Sequence, residues 1–141
     1  MHSPTSVRIL SISDHESVKR SRELLLQNVG YSVLSMSSDC ALKEQIPCEI
    51  DVAIIGHTVD DLSASRIVKR LRTTQPHLRI LRLAEQNAGV GYEYDCVCFV
   101  EDGPGVFLGC IAELVANAET AGSEPISTRH VLTPRRDCES D

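Results

Sequence analysis

The feature that most constrains this chain is an alternation of short apolar runs with segments whose apolar residues recur at helical spacing. Val7 to Ser13 (VRILSIS), Tyr31 to Met36 (YSVLSM), Asp51 to Gly56 (DVAIIG), Leu78 to Ala84 (LRILRLA) and Cys96 to Val100 (CVCFV) read as five strands. The unbroken apolar run of the third suits a central strand covered on both faces. After the first strand, Asp14 is the predicted N-cap of a helix reaching about Asn28. Val18, Leu25, Leu26 and Val29 form its buried stripe, and Lys19, Arg20, Arg22 and Glu23 its wet side. Gly30 is placed to end that helix in the left-handed region. Ser37, Ser38 and Asp39 open a brief helix to about Gln45, which Pro47 stops. Asp60, Asp61 and Ser63 can cap a third helix, with Leu62, Ile67, Val68 and Leu71 facing inward. Pro104 suits the first turn of a last helix carrying Val106, Phe107, Cys110, Ile111, Leu114 and Val115 on its apolar side. Strands alternating with helices call for an α/β domain, a parallel sheet with helices on both faces.

Length and composition agree. The chain has 141 residues, 42% of them hydrophobic, enough for one domain with one core. That domain is expected over residues 7–118, between a flexible N-terminus (1–6) and a flexible C-terminal tail (119–141) rich in Gly, Ser, Pro and Thr. No apolar run is long enough to cross a bilayer, and Met1 to Ser6 is polar, unlike a signal peptide. The expectation is a cytoplasmic protein with no membrane partner. A net charge of −6, a pI near 5.3 and the absence of Trp argue against nucleic acid as a partner. The basic clusters Lys19 to Arg22 and Lys69 to Arg72 sit inside helical patterns and read as solvated faces. Of the six cysteines, Cys96 and Cys98 fall on one face of a strand, where free thiols serve as small apolar fillers. A zinc site would want a second Cys or His pair at ligand spacing, and none follows, so no metal is expected. No nucleophile elbow, P-loop or dinucleotide fingerprint is present, and Gly103-Pro104-Gly105 lacks an amide that a phosphate loop would need. The chain reads as a binding protein rather than an enzyme.

Over roughly residues 7–118 the sequence resembles the receiver (CheY-like) domain of two-component response regulators. Arg8 to Glu16, the helix and the Gly30-Tyr31 turn after it look like that family's opening strand, acidic pair, helix and turn; Asp51 to Gly56 looks like the strand leading to its phosphoacceptor. The resemblance implies a three-layer flavodoxin-like fold with five parallel strands in the order 2-1-3-4-5. In an active receiver, an acidic pair after the first strand and an Asp ending the third hold Mg²⁺, and that Asp takes the phosphoryl group. A Ser or Thr ending the fourth strand and a Lys ending the fifth then contact the phosphate.

This chain departs at most of those positions. The acidic pair reads Ser13-Asp14, the phosphoacceptor position reads Gly56, the hydroxyl position reads Ala84, and the lysine position reads Glu101, or Asp102 one residue on. An acidic group there repels a phosphoryl group, so the implied reading is a degenerate pseudo-receiver without aspartyl phosphorylation, Mg²⁺ or another cofactor. Residues 85–95, with Gly89 and Gly91, are short for the family's loop-helix-loop, so the helix between the fourth and fifth strands is expected to be short or missing.

The polar residues left at the strand C-termini allow two readings. A residual ligand or metal site would use Asp14, His57 and Asp60, at the edge where open α/β sheets bind ligands. The structural reading makes Asp14 and Asp60 helix caps, His57 a loop residue, and Gly56 the means of a sharp turn off the third strand. The favoured function is a stand-alone, phosphorylation-independent receiver-like signalling module that binds a protein partner, or itself, through the last helix and the adjacent sheet edge. A small-ligand or metal sensor, and a phosphorelay member with His57 as substitute acceptor, are the alternatives.

Overall fold

Alternate residues of a strand face opposite sides of its sheet, and here the two sides have separate cores. Our computed structural model describes residues 7–47, 49–85 and 93–119. The elements are β1 (Arg8–Ile12), α1 (Glu16–Val29), β2 (Ser32–Met36), α2 (Ser38–Lys43), β3 (Val52–Ile55), α3 (Asp61–Thr74), β4 (Arg79–Ala84), β5 (Cys96–Phe99), a 3-10 turn (Val100–Asp102) and α4 (Gly103–Glu119). The five strands form one sheet in the order β2-β1-β3-β4-β5, with every pairing parallel. Leu10, Ile12, Ala53, Ile55 and Ile80 pack on one face against Ala41 of α2 and Ala64, Ile67, Val68 and Leu71 of α3. Ile9, Val52, Ile54, Leu81, Leu83 and Cys98 pack on the other against Leu26 of α1 and Phe107, Ile111 and Leu114 of α4. β3, central and covered on both faces, has all four residues buried. This is the flavodoxin-like receiver fold with its expected strand order.

Local chemistry sets the boundaries. Gly30 ends α1 at φ 111°, and its amide returns to the carbonyls of Leu26 and Gln27. The Ser37 hydroxyl caps α2 by accepting from the Cys40 amide at 3.2 Å, and Asp60 caps α3 by accepting from the Ser63 amide at 3.0 Å. Asp14 is no cap for α1, which starts behind His15 without a side-chain cap. Its carboxylate crosses instead to α2, accepting from the Ser38 amide and hydroxyl at 2.7 Å each.

Three apolar residues expected inside are exposed: Val29, Leu62 and Val106, at 52%, 64% and 47%. Each lies in the first or last turn of its helix. The basic clusters are less solvated than their periodicity implied. Arg70 donates to the carbonyls of Ala41 and Glu44 at 2.7 Å each, tying α3 to the end of α2. Arg72 donates to the carbonyls of Leu78 and Glu93 and to the buried Asp95 carboxylate.

Among the described residues no helix lies between β4 and β5; the shortened segment expected there falls mostly on residues 86–92, outside the described set. The expected flexible ends, 1–6 and 119–141, lie outside it too, apart from Glu119, which is the last residue of α4. Among the described residues no helix is long and apolar enough to cross a membrane.

Candidate functional site

The parallel sheet brings the ends of β1, β3, β4 and β5 together, and with them Ser13, Gly56, Ala84 and the turn holding Glu101. Ile12 pairs with Ile55, and Ala84 with Phe99, so the residues that follow share one edge. Ser13 is buried, and its hydroxyl lies 2.9 Å from that of Thr58. Thr58 Oγ1 also accepts from the Asp14 amide at 2.8 Å, stitching the loop after β3 to the loop after β1. Ala84 is buried, and Glu101 and Asp102 are exposed.

Gly56 is favoured by space rather than by backbone torsion. The positive-φ glycines of the described chain are Gly30 and Gly103, so the turn expected of Gly56 needs no glycine. A Cβ at position 56 would instead lie 2.7 Å from Nη1 of Arg22 and 3.0 Å from the Ile12 carbonyl oxygen. Arg22, expected on the wet side of α1, turns inward. Its guanidinium carbon sits 5.9 Å from the centroid of the Phe107 ring of α4, and its Nη1 is buried without a hydrogen-bond partner among the described residues. Burial holds its pKa below the ordinary arginine value. The ring face offsets part of that desolvation cost. A guanidinium thus fills the space beyond β3 that the missing side chain leaves.

A second arginine fixes the loop from the other face of the sheet. Arg82 lies in register with Ile55 and is only 5% exposed. Its Nη1 donates to the Gly56 carbonyl at 2.8 Å, and its Nη2 to the Val59 carbonyl at 3.0 Å and the Asp61 carboxylate at 2.9 Å. The Tyr94 ring lies 6.0 Å away, and burial raises the Tyr94 phenol to about 12. The planar fork of arginine suits this three-way contact, which a lysine could not reproduce. The signal in the sequence was a charge inside the apolar run from Ile80 to Ala84, where a partnered buried cation is the physical requirement. Arg22 gave no such signal, because helical periodicity assigns a residue to a sector and not to a side-chain direction.

Of the three residues of the expected ligand site, Asp14 is engaged by Ser38 and Asp60 by Ser63. The Ser63 amide and hydroxyl hold the exposed Asp60 carboxyl below its ordinary value. His57 is half-buried, with its Nδ1 buried and unpartnered among the described residues. Burial, and then the Arg22 guanidinium, hold its pKa below the ordinary 6.5, against the opposite pull of Glu85 and Glu101. The unfolded chain therefore binds the His57 proton more readily than the folded one. Its contribution to stability is complete above pH 6.5 and is lost as pH falls from there through the lower folded value. The melting temperature is expected to fall on acidification from about pH 7.5 to about pH 5.5, with a shallower fall in His57→Asn. Parallel thermal melts of the two proteins check this; identical slopes would refute it.

No protein-family model matches the sequence, and no curated protein does. Solved structures do. A response regulator receiver domain protein from Clostridium thermocellum matches with a TM-score of 0.67 at 19% identity, over 80% of this chain and 97% of its own. The signal receiver domain of an HD domain-containing protein from Pseudomonas fluorescens matches with a TM-score of 0.70 at 13% identity, over 82% and 99%. The response regulator TrrA, solved in complex with the histidine kinase ThkA, matches with a TM-score of 0.66 at 17% identity, over 77% and 98%. At these identities the likeness is one of fold.

Proposed function

We propose that the chain is a receiver-like signalling module of a two-component or phosphorelay-type system, that its output does not depend on aspartyl phosphorylation, and that it acts by binding a protein rather than by catalysis. The observation that carries this reading is the exchange at the end of β3. Where an active receiver has its phosphoacceptor carboxylate, this chain has Gly56, and the Arg22 guanidinium occupies the space beside it.

The other positions agree. Ser13 and Ala84 supply neither carboxylate nor phosphate-binding hydroxyl, since Ser13 is buried against Thr58. Glu101 has the wrong sign for a phosphate contact. The residues do not fit Mg²⁺ either. Both oxygens of the Asp14 carboxylate accept from Ser38, and the buried cation next to Gly56 repels a divalent ion. What survives is a rigid scaffold, its β3–α3 loop held by Thr58 and Arg82. A scaffold kept without its chemistry suits recognition, and the complex of TrrA with a histidine kinase is a precedent for this fold binding a protein. The proposed contact surface is α4 with the neighbouring edge strand β5, where Val100 and Val106 are exposed.

Intact-mass spectrometry after incubation with Mg²⁺ and a small-molecule phosphodonor tests the reading, with an active receiver as control. No mass shift is expected beside a working control. A stable single-phosphate shift would overturn it and direct attention to a substitute acceptor such as His57.

A further inference from the structure

The end of the described chain carries charge of one sign. Every charged residue from Glu85 to Glu124 is acidic, and no Lys, Arg or His occurs from Glu85 to Thr128. Glu101, Asp102 and Glu113 are exposed on the 3-10 turn and α4, and two apolar side chains of the same stretch, Val100 and Val106, are 37% and 47% exposed. Arg22 reaches α4 from its inner side, at the Phe107 ring. The outer side is bare. Gly109 lies inside α4 and is exposed, and a Cβ there would meet nothing within 4 Å among the described residues. Glycine at such a position weakens a helix relative to alanine, and it lets another backbone approach closely. A face of this kind suits a basic segment that also carries apolar residues.

We propose that the occupant is the chain's own segment 129–136, docked in cis on the start of α4 and the turn before it. Pro125 to Arg136 (PISTRHVLTPRR) holds Arg129, Arg135 and Arg136, with Val131 and Leu132 between them and no acidic residue. The segment lies outside the described residues, and its reach follows from where α4 ends. That helix begins at the sheet edge where β5 ends and runs 17 residues, about 26 Å, toward the opposite edge. The ten residue steps from Glu119 to Arg129 span up to about 33 Å when extended, enough to return to Val106 and Val100. Val131 and Leu132 cover those two valines, and the arginines face Glu101 and Asp102. Exposed ion pairs contribute little by themselves, so the apolar contact holds the segment and the charges select it. The short tether sets an effective concentration on the order of millimolar, so a contact that would be weak between separate molecules is populated here. On the reading of α4 and β5 as the partner's surface, the docked segment is a competitor that the partner must displace; that consequence alone rests on the reading above.

The test measures amide order parameters by NMR in the full chain at low salt. Val131 and Leu132 are expected above about 0.6, the upper bound for a flexible backbone, at values that do not change over an about tenfold range of protein concentration. Reversing the segment, Arg129→Glu with Arg135→Glu and Arg136→Glu, should drop both below that bound and shift the amides from Val100 to Gly109. Reversing the surface, Glu101→Lys with Asp102→Lys, should release the segment equally, and combining the two reversals should restore its order. High salt should release it in the wild-type chain. Values below about 0.6 in the wild type at low salt would overturn the proposal. So would order that survives both reversals, or order that grows with concentration, which would mean capture by a second copy. The segment variant leaves residues 7–119 unaltered, so the result does not depend on whether the surface variant folds. The intact-mass experiment reads phosphorylation and not this contact, so the two readings fail separately.

Discussion

Replacing Arg82 by Met is expected to cost about 3 kcal/mol of folding stability, with a fall in melting temperature on the order of 10 °C. Met keeps most of the apolar stem and removes the fork. The Val59 carbonyl then loses its guanidinium donor, and the Gly56 carbonyl keeps only its turn bond from the Val59 amide. Losing hydrogen bonds from a buried charged group costs more than losing an exposed ion pair. The partner carboxylate of Asp61 supplies the contrast, because its side chain is 79% exposed while that of Arg82 is 6% exposed. Asp61→Asn keeps an acceptor oxygen and should cost less than about 1 kcal/mol. Arg82→Lys should fall nearer to Met than to wild type, since one ammonium cannot span the three acceptors. Urea melts of the three variants measure all of this, and equal losses for Asp61→Asn and Arg82→Met would show that the surface ion pair, not the loop anchor, carries the energy.

The second large effect is expected at Gly56. Gly56→Ala adds one carbon where Arg22 Nη1 and the Ile12 carbonyl oxygen stand 2.7 and 3.0 Å away, and should cost about 1–2 kcal/mol. Because φ at this position is not positive, torsional strain contributes nothing and the effect is one of space. The two contacts differ in kind: the guanidinium is the end of a flexible side chain, and the carbonyl belongs to β1. Combining Gly56→Ala with Arg22→Ala should therefore recover part of the loss, with a coupling of at least about 0.5 kcal/mol, while the backbone contact keeps the remainder. Gly56→Asp places a carboxylate against the buried guanidinium, and part of its steric cost should be offset by that pairing. Additive losses in the Gly56→Ala, Arg22→Ala cycle would mean that Arg22 does not occupy this space in solution.

Much of the architecture was legible because it depends on averages along the chain. The apolar run from Val52 to Ile55 announced a strand buried on both faces, and Gly30 announced the end of α1. The cap at Asp60 was readable from local hydrogen-bonding chemistry. The residue types at Gly56, Ala84 and Glu101 were equally plain. What packs beside Gly56 was not legible. Arg22 sits on a sector of α1 that periodicity marks as wet, and its long side chain reaches inward across that boundary. Asp14 looked like the cap of the helix beside it and serves the helix one crossover away.

The sequence by itself determined the order of elements, the parallel sheet and the faces of most strands, because strand and helix periods and residue chemistry are local. Only the tertiary structure decided that Arg22 backs Gly56 and that Arg82 pins the β3–α3 loop. Those contacts join residues far apart in the chain, and long or small side chains choose partners by the space and charge that folding brings to them.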